Sequence, residues 1–142
     1  MMPQYHFIAS IIFATILFHF TKSPEAAFFF FISGFALDAD HLVDFWLYRK
    51  KITIDREIFQ HFHGRFGRIY LFLHSFELVA LIITLSFLNL QNMILFAALA
   101  LGLIFHLALD FVSYDLHPLS YFLTYRIFRR FDIKCICRSA EI

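Results

Sequence analysis

Four apolar runs set the terms on which this chain can fold: residues 5–20, 24–48, 69–88 and 93–114, none of which contains a lysine or an arginine. A helix rises about 1.5 Å per residue and a bilayer's hydrocarbon core is about 30 Å thick, so runs of this length read as membrane crossings. Composition agrees. Hydrophobic residues make up 61% of the 142 positions, 22 of them phenylalanine, and charged residues only 16%. A soluble domain runs at about 45–50% apolar and about 25% charged. The expected fold class is therefore all-α: a polytopic membrane helix bundle with four transmembrane helices. The first run lacks the basic stretch and small-x-small cleavage site of a signal peptide, and is read as a retained helix.

The punctuation between runs supports these bounds. Ser23 suits the N-cap of a second helix, with Pro24 in its first turn and Glu25 at its positive end. Asn89-Leu90-Gln91-Asn92 is a short uncharged turn, and Pro118 forces the fourth helix to end before it. Residues 1–118 then form a four-helix domain. Residues 119–142, with aromatic side chains interleaved with Arg126, Arg129 and Arg130, read as a basic interfacial segment on the membrane surface, or as a short fifth core-packing element. Cys135 and Cys137 stand too close together to staple a fold and are read as free thiols.

Charge orients the bundle. The connection after the second run carries Arg49, Lys50, Lys51, Arg56, Arg65 and Arg68; the connections after the first and third carry Lys22 alone and no basic residue. The positive-inside rule puts that loop and both termini in the cytoplasm. With that orientation the polar residues of the helices sort to one side. Asp38, Asp40, His41 and Asp44 end the second run, His74 and Glu77 begin the third, and His106 and Asp110 end the fourth, all in cytoplasmic halves. The outer halves of runs two to four contain no histidine.

An ionisable side chain in lipid is costly and is usually there for function. A structural ion pair would need a basic partner, and the runs contain none. Asp38 with His41, Asp40 with Asp44, His74 with Glu77 and His106 with Asp110 each lie three or four residues apart, on one helical face. Mixed imidazole and carboxylate donors suit zinc, with manganese or iron as alternatives, and are numerous enough for one or two ions. Asp38, Asp40, His41, His74, His106 and Asp110 are the candidate metal ligands; His61, His63 and His117 are further candidates. Glu77 and Asp44 are candidate catalytic carboxylates, Glu77 as general base or as the group that orients His74. Arg65, Arg68 and Arg126 are candidates to hold a substrate anion. His6 and His19 are read as hydrogen-bonding core residues. With 12 basic against 11 acidic residues, nothing points to nucleic acid.

Asp38-Ala39-Asp40-His41 after an apolar helix, His74-Ser75, and His106 to Asp110 followed by Tyr114-Asp115-Leu116-His117-Pro118 together resemble the membrane-bound metal-dependent hydrolases. These are small bacterial inner-membrane proteins that include a DNA-damage-regulated member. The resemblance covers residues 30–118 in blocks. Leu37 departs from the usual proline before the first block, Leu73 from the usual threonine before His74, and His63-Gly64 lies farther upstream than in that family. It implies metal ligands at Asp38, Asp40, His41, His74, His106 and Asp110. The expected function is an inner-membrane metal-dependent hydrolase at the cytoplasmic face, acting on a phosphoester or lipid-like substrate through a metal-activated water. The alternatives are a metal or proton transporter, or a non-catalytic scaffold with a structural His/Asp cluster.

Overall fold

The computed structural model describes residues 3–49, 67–114 and 116–137. Helix α1 (Pro3–Thr21) ends at Lys22, whose positive φ of 54° turns the chain back. Ser23 then caps α2 (Pro24–Ala36), its Oγ accepting from Ala26 N at 3.1 Å. A 3-10 turn at Leu37–Ala39 leads into α3 (Asp40–Arg49). After α4 (Phe76–Leu88), a second 3-10 turn at Leu90–Asn92 joins α5 (Met93–Ser113). The chain closes with a 3-10 turn at Pro118–Tyr121, α6 (Leu123–Phe128) and α7 (Ile133–Ile136).

Helix α2 packs against both α5 and α1, and α4 lies along α5. Small residues let α2 approach both α5 and α1 closely. A Cβ added to Gly102 would collide with Ser33 Oγ and the Phe30 carbonyl, and one added to Gly34 would come within 2.7 Å of Ser10 Oγ. Close backbone approach at small residues is how helices pack in lipid, where apolar surface gains nothing by burial. Large side chains such as Phe20, Phe28, Phe87 and Val112 face outward accordingly.

Among the described residues three stretches, not four, are long and apolar enough to cross a bilayer: Gln4–Thr21, Pro24–Asp44 and Leu90–Ser113. The four-helix expectation fails at the third run. Its helix begins only at Phe76, because Ser75 caps it and accepts from Leu78 N. The remaining 13 residues reach about 20 Å. Residues 68–75, though apolar, run as a non-helical strap. Tyr70 N donates to Asp44 Oδ1 at 2.7 Å and Leu73 N to Asp40 Oδ2 at 2.6 Å. The Leu71 and His74 carbonyls accept from the Arg126 guanidinium. Side chains thus satisfy backbone groups that a helix would have paired internally, the condition for irregular backbone away from water.

The strap also pairs with the tail. Ile69 N donates to Phe131 O and Ile133 N to Gly67 O, while Ile69, Leu71, Ile133 and Ile136 form a small core of their own. Cys135 and Cys137 are both half-buried.

Candidate metal centre

Helix α1 presents one row of small and polar residues, His6, Ser10 and Ala14, spaced four apart and buried, on a helix otherwise covered with Phe and Ile. α5 presents His106 and Asp110 at the same spacing. The 3-10 turn and the start of α3 supply Asp38, Asp40, His41 and Asp44, and the strap supplies His74. All eight charged or imidazole side chains are buried, with His6 and His106 fully enclosed.

Among the described residues two groups of possible ligands result: His6, His106 and Asp110, and Asp38, His41 and His74, each with donor atoms within 4.8 Å of one another. They are contiguous. His106 Nε2 lies 3.2 Å from His74 Nε2, 3.3 Å from Asp110 Oδ2 and 3.7 Å from Asp38 Oδ1. His74 Nε2 lies 3.7 Å from Asp110 Oδ2, and His41 Nε2 lies 4.0 Å from Asp38 Oδ1. Four donors at zinc bond lengths of about 2.0–2.1 Å stand about 3.3 Å apart along the edges of a tetrahedron. The spacings here are of that size.

His106 Nδ1 lies 2.9 Å from the Gly34 carbonyl, which can only accept, so Nδ1 carries the hydrogen. His74 Nδ1 lies 3.3 Å from Asp40 Oδ2, which also accepts from Leu73 N, giving the same tautomer. Burial pushes the His74 imidazole below its ordinary range and so toward the neutral form. The two Nε2 atoms then face each other, and both face Asp110 Oδ2. Lone pairs 3.2 Å apart repel unless a cation or proton lies between them. Asp38 Oδ2 is also buried with no hydrogen-bond partner. The donor set fits a divalent ion.

The carboxylates divide the work. Asp38 and Asp110 point into the cluster. Asp40 stands behind His74 and fixes its ring, the usual arrangement behind a ligating histidine. Asp44 holds the strap through Tyr70 N. Glu77 is turned away: its oxygens accept from Leu123 N, Thr124 N and Thr124 Oγ1 at 2.8–2.9 Å, capping α6. Burial would raise the Glu77 carboxyl, but the bonds from Thr124 and Leu123 outweigh it and hold the group below its usual range.

Of the three arginines, Arg126 is buried beside the cluster and bonded to the Leu71 and His74 carbonyls. Burial brings its guanidinium down to about 10, so it stays charged at neutral pH. Arg68 is exposed and donates to Tyr70 OH at 3.3 Å. His117 caps the turn at Pro118, its Nδ1 accepting from Leu119 N, and stacks on Tyr125. Arg65, His61 and His63 lie outside the described residues.

His6, read from the sequence as a core histidine, joins the cluster. Its Nε2 lies 3.0 Å from Asp110 Oδ1, and its ring stacks on His106 with centroids 4.0 Å apart. Two signals could have found it: the row it shares with Ser10 and Ala14, and a place at the end of the first run that an up-and-down bundle sets level with Asp38 and Asp110. No family model matches the sequence, and neither a curated protein nor a solved structure matches it.

Proposed function

We propose that this chain is an integral-membrane metal-dependent hydrolase acting at the cytoplasmic membrane face, as its resemblance to the membrane-bound metal-dependent hydrolases implies. The observation that carries this reading is the meeting of the His74 and His106 Nε2 lone pairs between Asp38 and Asp110, with both back nitrogens committed to Asp40 and to the Gly34 carbonyl. Zinc is the expected ion, manganese or iron the alternatives. A bound ion would supply Lewis-acid polarisation of a substrate oxygen and lower the pKa of a water.

Asp38, His41, His74, His106 and Asp110 hold the ion. His6 orients Asp110, and Asp40 orients His74. Asp38 Oδ2, lacking a partner, is the acceptor for a proton from the attacking water. Asp44 and Glu77 act through position, the first on the strap and the second on α6. Residues 119–137 lie at the interface, with Ile127 and Phe128 outward and Arg126 inward. The substrate is a phosphoester or a lipid-like ester.

The test is elemental analysis of the full chain purified in detergent under metal-replete conditions, for the parent and for His74→Ala and His106→Ala. One or two divalent ions per chain, lost in both variants while the helical circular dichroism persists, is the expected result. A metal-free parent protein overturns the proposal.

A further inference from the structure

Beside the cluster, the Pro118–Tyr121 turn and α6 leave three buried donors without hydrogen-bond partners: Ser120 Oγ, Tyr121 OH and Arg126 Nε. All three residues are at least 96% buried. They line one pocket together with His74 and Asp110, with room for about one water molecule. Leaving a buried donor unmade costs far more than making an ordinary hydrogen bond gains, so three around one space need a common acceptor. Two hydroxyls and one cationic N–H favour an anionic oxygen.

We propose that Ser120, Tyr121 and Arg126 form an oxyanion pocket that takes one oxygen of a phosphoryl group. The inference rests on the metal-centre reading, because Asp110 lines the same pocket and would repel an anion unless an ion neutralised it. A tetrahedral phosphoryl group has oxygens enough to meet both an ion at the His/Asp cluster and these donors; a planar carboxylate has only two. Arg126 is fixed for this task, since its other nitrogens are held by the Leu71 and His74 carbonyls and only Nε is left.

The source of the phosphoryl group is either a lipid headgroup or the free ion. The experiment titrates zinc-loaded full chain in detergent with inorganic phosphate, with dihexanoyl phosphatidic acid and with acetate, by calorimetry. It compares the parent with Ser120→Ala, Tyr121→Phe and the double variant, and measures zinc content throughout. Both substitutions keep the side chain's bulk and leave Arg126 on the strap. The expected result is unchanged zinc content with phosphoryl binding weakened about tenfold per substitution, and binding lost when zinc is removed. Tighter binding of the phosphatidic acid identifies a headgroup, and tighter binding of phosphate the free ion.

Zinc bound at full level with no phosphoryl binding, or with binding the variants leave unchanged, overturns the pocket and leaves the metal centre standing. Acetate binding more tightly than phosphate overturns the phosphoryl assignment. A chain that takes up no zinc overturns both readings.

Discussion

Gly102→Ala is the substitution through which helix packing and the metal centre can be tested together. The new Cβ would collide with Ser33 Oγ and the Phe30 carbonyl and stand 3.2 Å from Gly34 N. Ser33 is already bonded to the Phe29 and Phe30 carbonyls, and the other two atoms are backbone, so no side chain can swing clear. Relief requires α5 to back away from α2 by about 1 Å, given normal carbon contacts of about 3.5–4.0 Å. Overpacking of this kind costs about 1–3 kcal/mol. At about 4 °C per kcal/mol for a chain of this size, Tm should fall by about 4–12 °C. The same shift stretches the bond between His106 Nδ1 and the Gly34 carbonyl, 2.9 Å in the native packing, to about 3.9 Å, beyond hydrogen-bond range. His106 then loses the partner that fixes its tautomer, and such losses weaken metal binding by about 10–100-fold.

Thermal unfolding in detergent and competition with a chromophoric zinc chelator read the two effects separately. Gly67→Ala is the control, since a Cβ there meets nothing within 4 Å. A Gly102→Ala protein with parental Tm and parental zinc affinity would refute both the packing argument and the role given to the Gly34 carbonyl. Lowered Tm with parental affinity would refute the second alone.

Three other outcomes are expected. His6→Ala should leave the helices formed but weaken zinc binding by about 10–100-fold in the same chelator competition, because Asp110 loses the donor on its other oxygen. Asp40→Asn should lower zinc affinity by a similar factor while Asp44→Asn does not, since of the two only Asp40 touches the His74 ring. Glu77 titrates lower in the folded chain than in the unfolded one, so its contribution is present above the ordinary glutamate pKa and fades as pH falls below it. Glu77→Gln should therefore lower Tm near pH 7 and narrow the difference from the parent toward pH 3, with zinc content unchanged.

The meeting of the polar residues was legible from their places in the chain: Asp38 lies near the end of the second run, His74 near the start of the third and His106 near the end of the fourth, which an up-and-down bundle sets at one level. Their partition into roles was not legible. Asp40 and Asp44 share a helical face, which reads as a ligand pair, yet they serve as acceptors for Leu73 N and Tyr70 N, 33 and 26 residues away. Local spacing carries no information about such partners. The third run failed for the same reason. Ile69 to Leu73 has the composition of a helix, but a backbone segment follows whichever partners complete its hydrogen bonds, and Asp40, Asp44 and Arg126 outcompete the internal ladder.

That failure bears on how the centre is built. Had residues 69–75 continued α4 downward, the Leu73 N–H would have bonded within the helix to the Ile69 carbonyl. Asp40 would then have been a buried carboxylate short of its 2.6 Å backbone donor, at a cost of about 1–3 kcal/mol or more. Unwinding the strap removes that cost and brings His74 against His106 from a direction no parallel helix offers. The apolar strap and the acidic stretch after α2 are thus complementary halves of one device: each supplies the groups the other needs, and the imidazole that completes the centre lies where they meet.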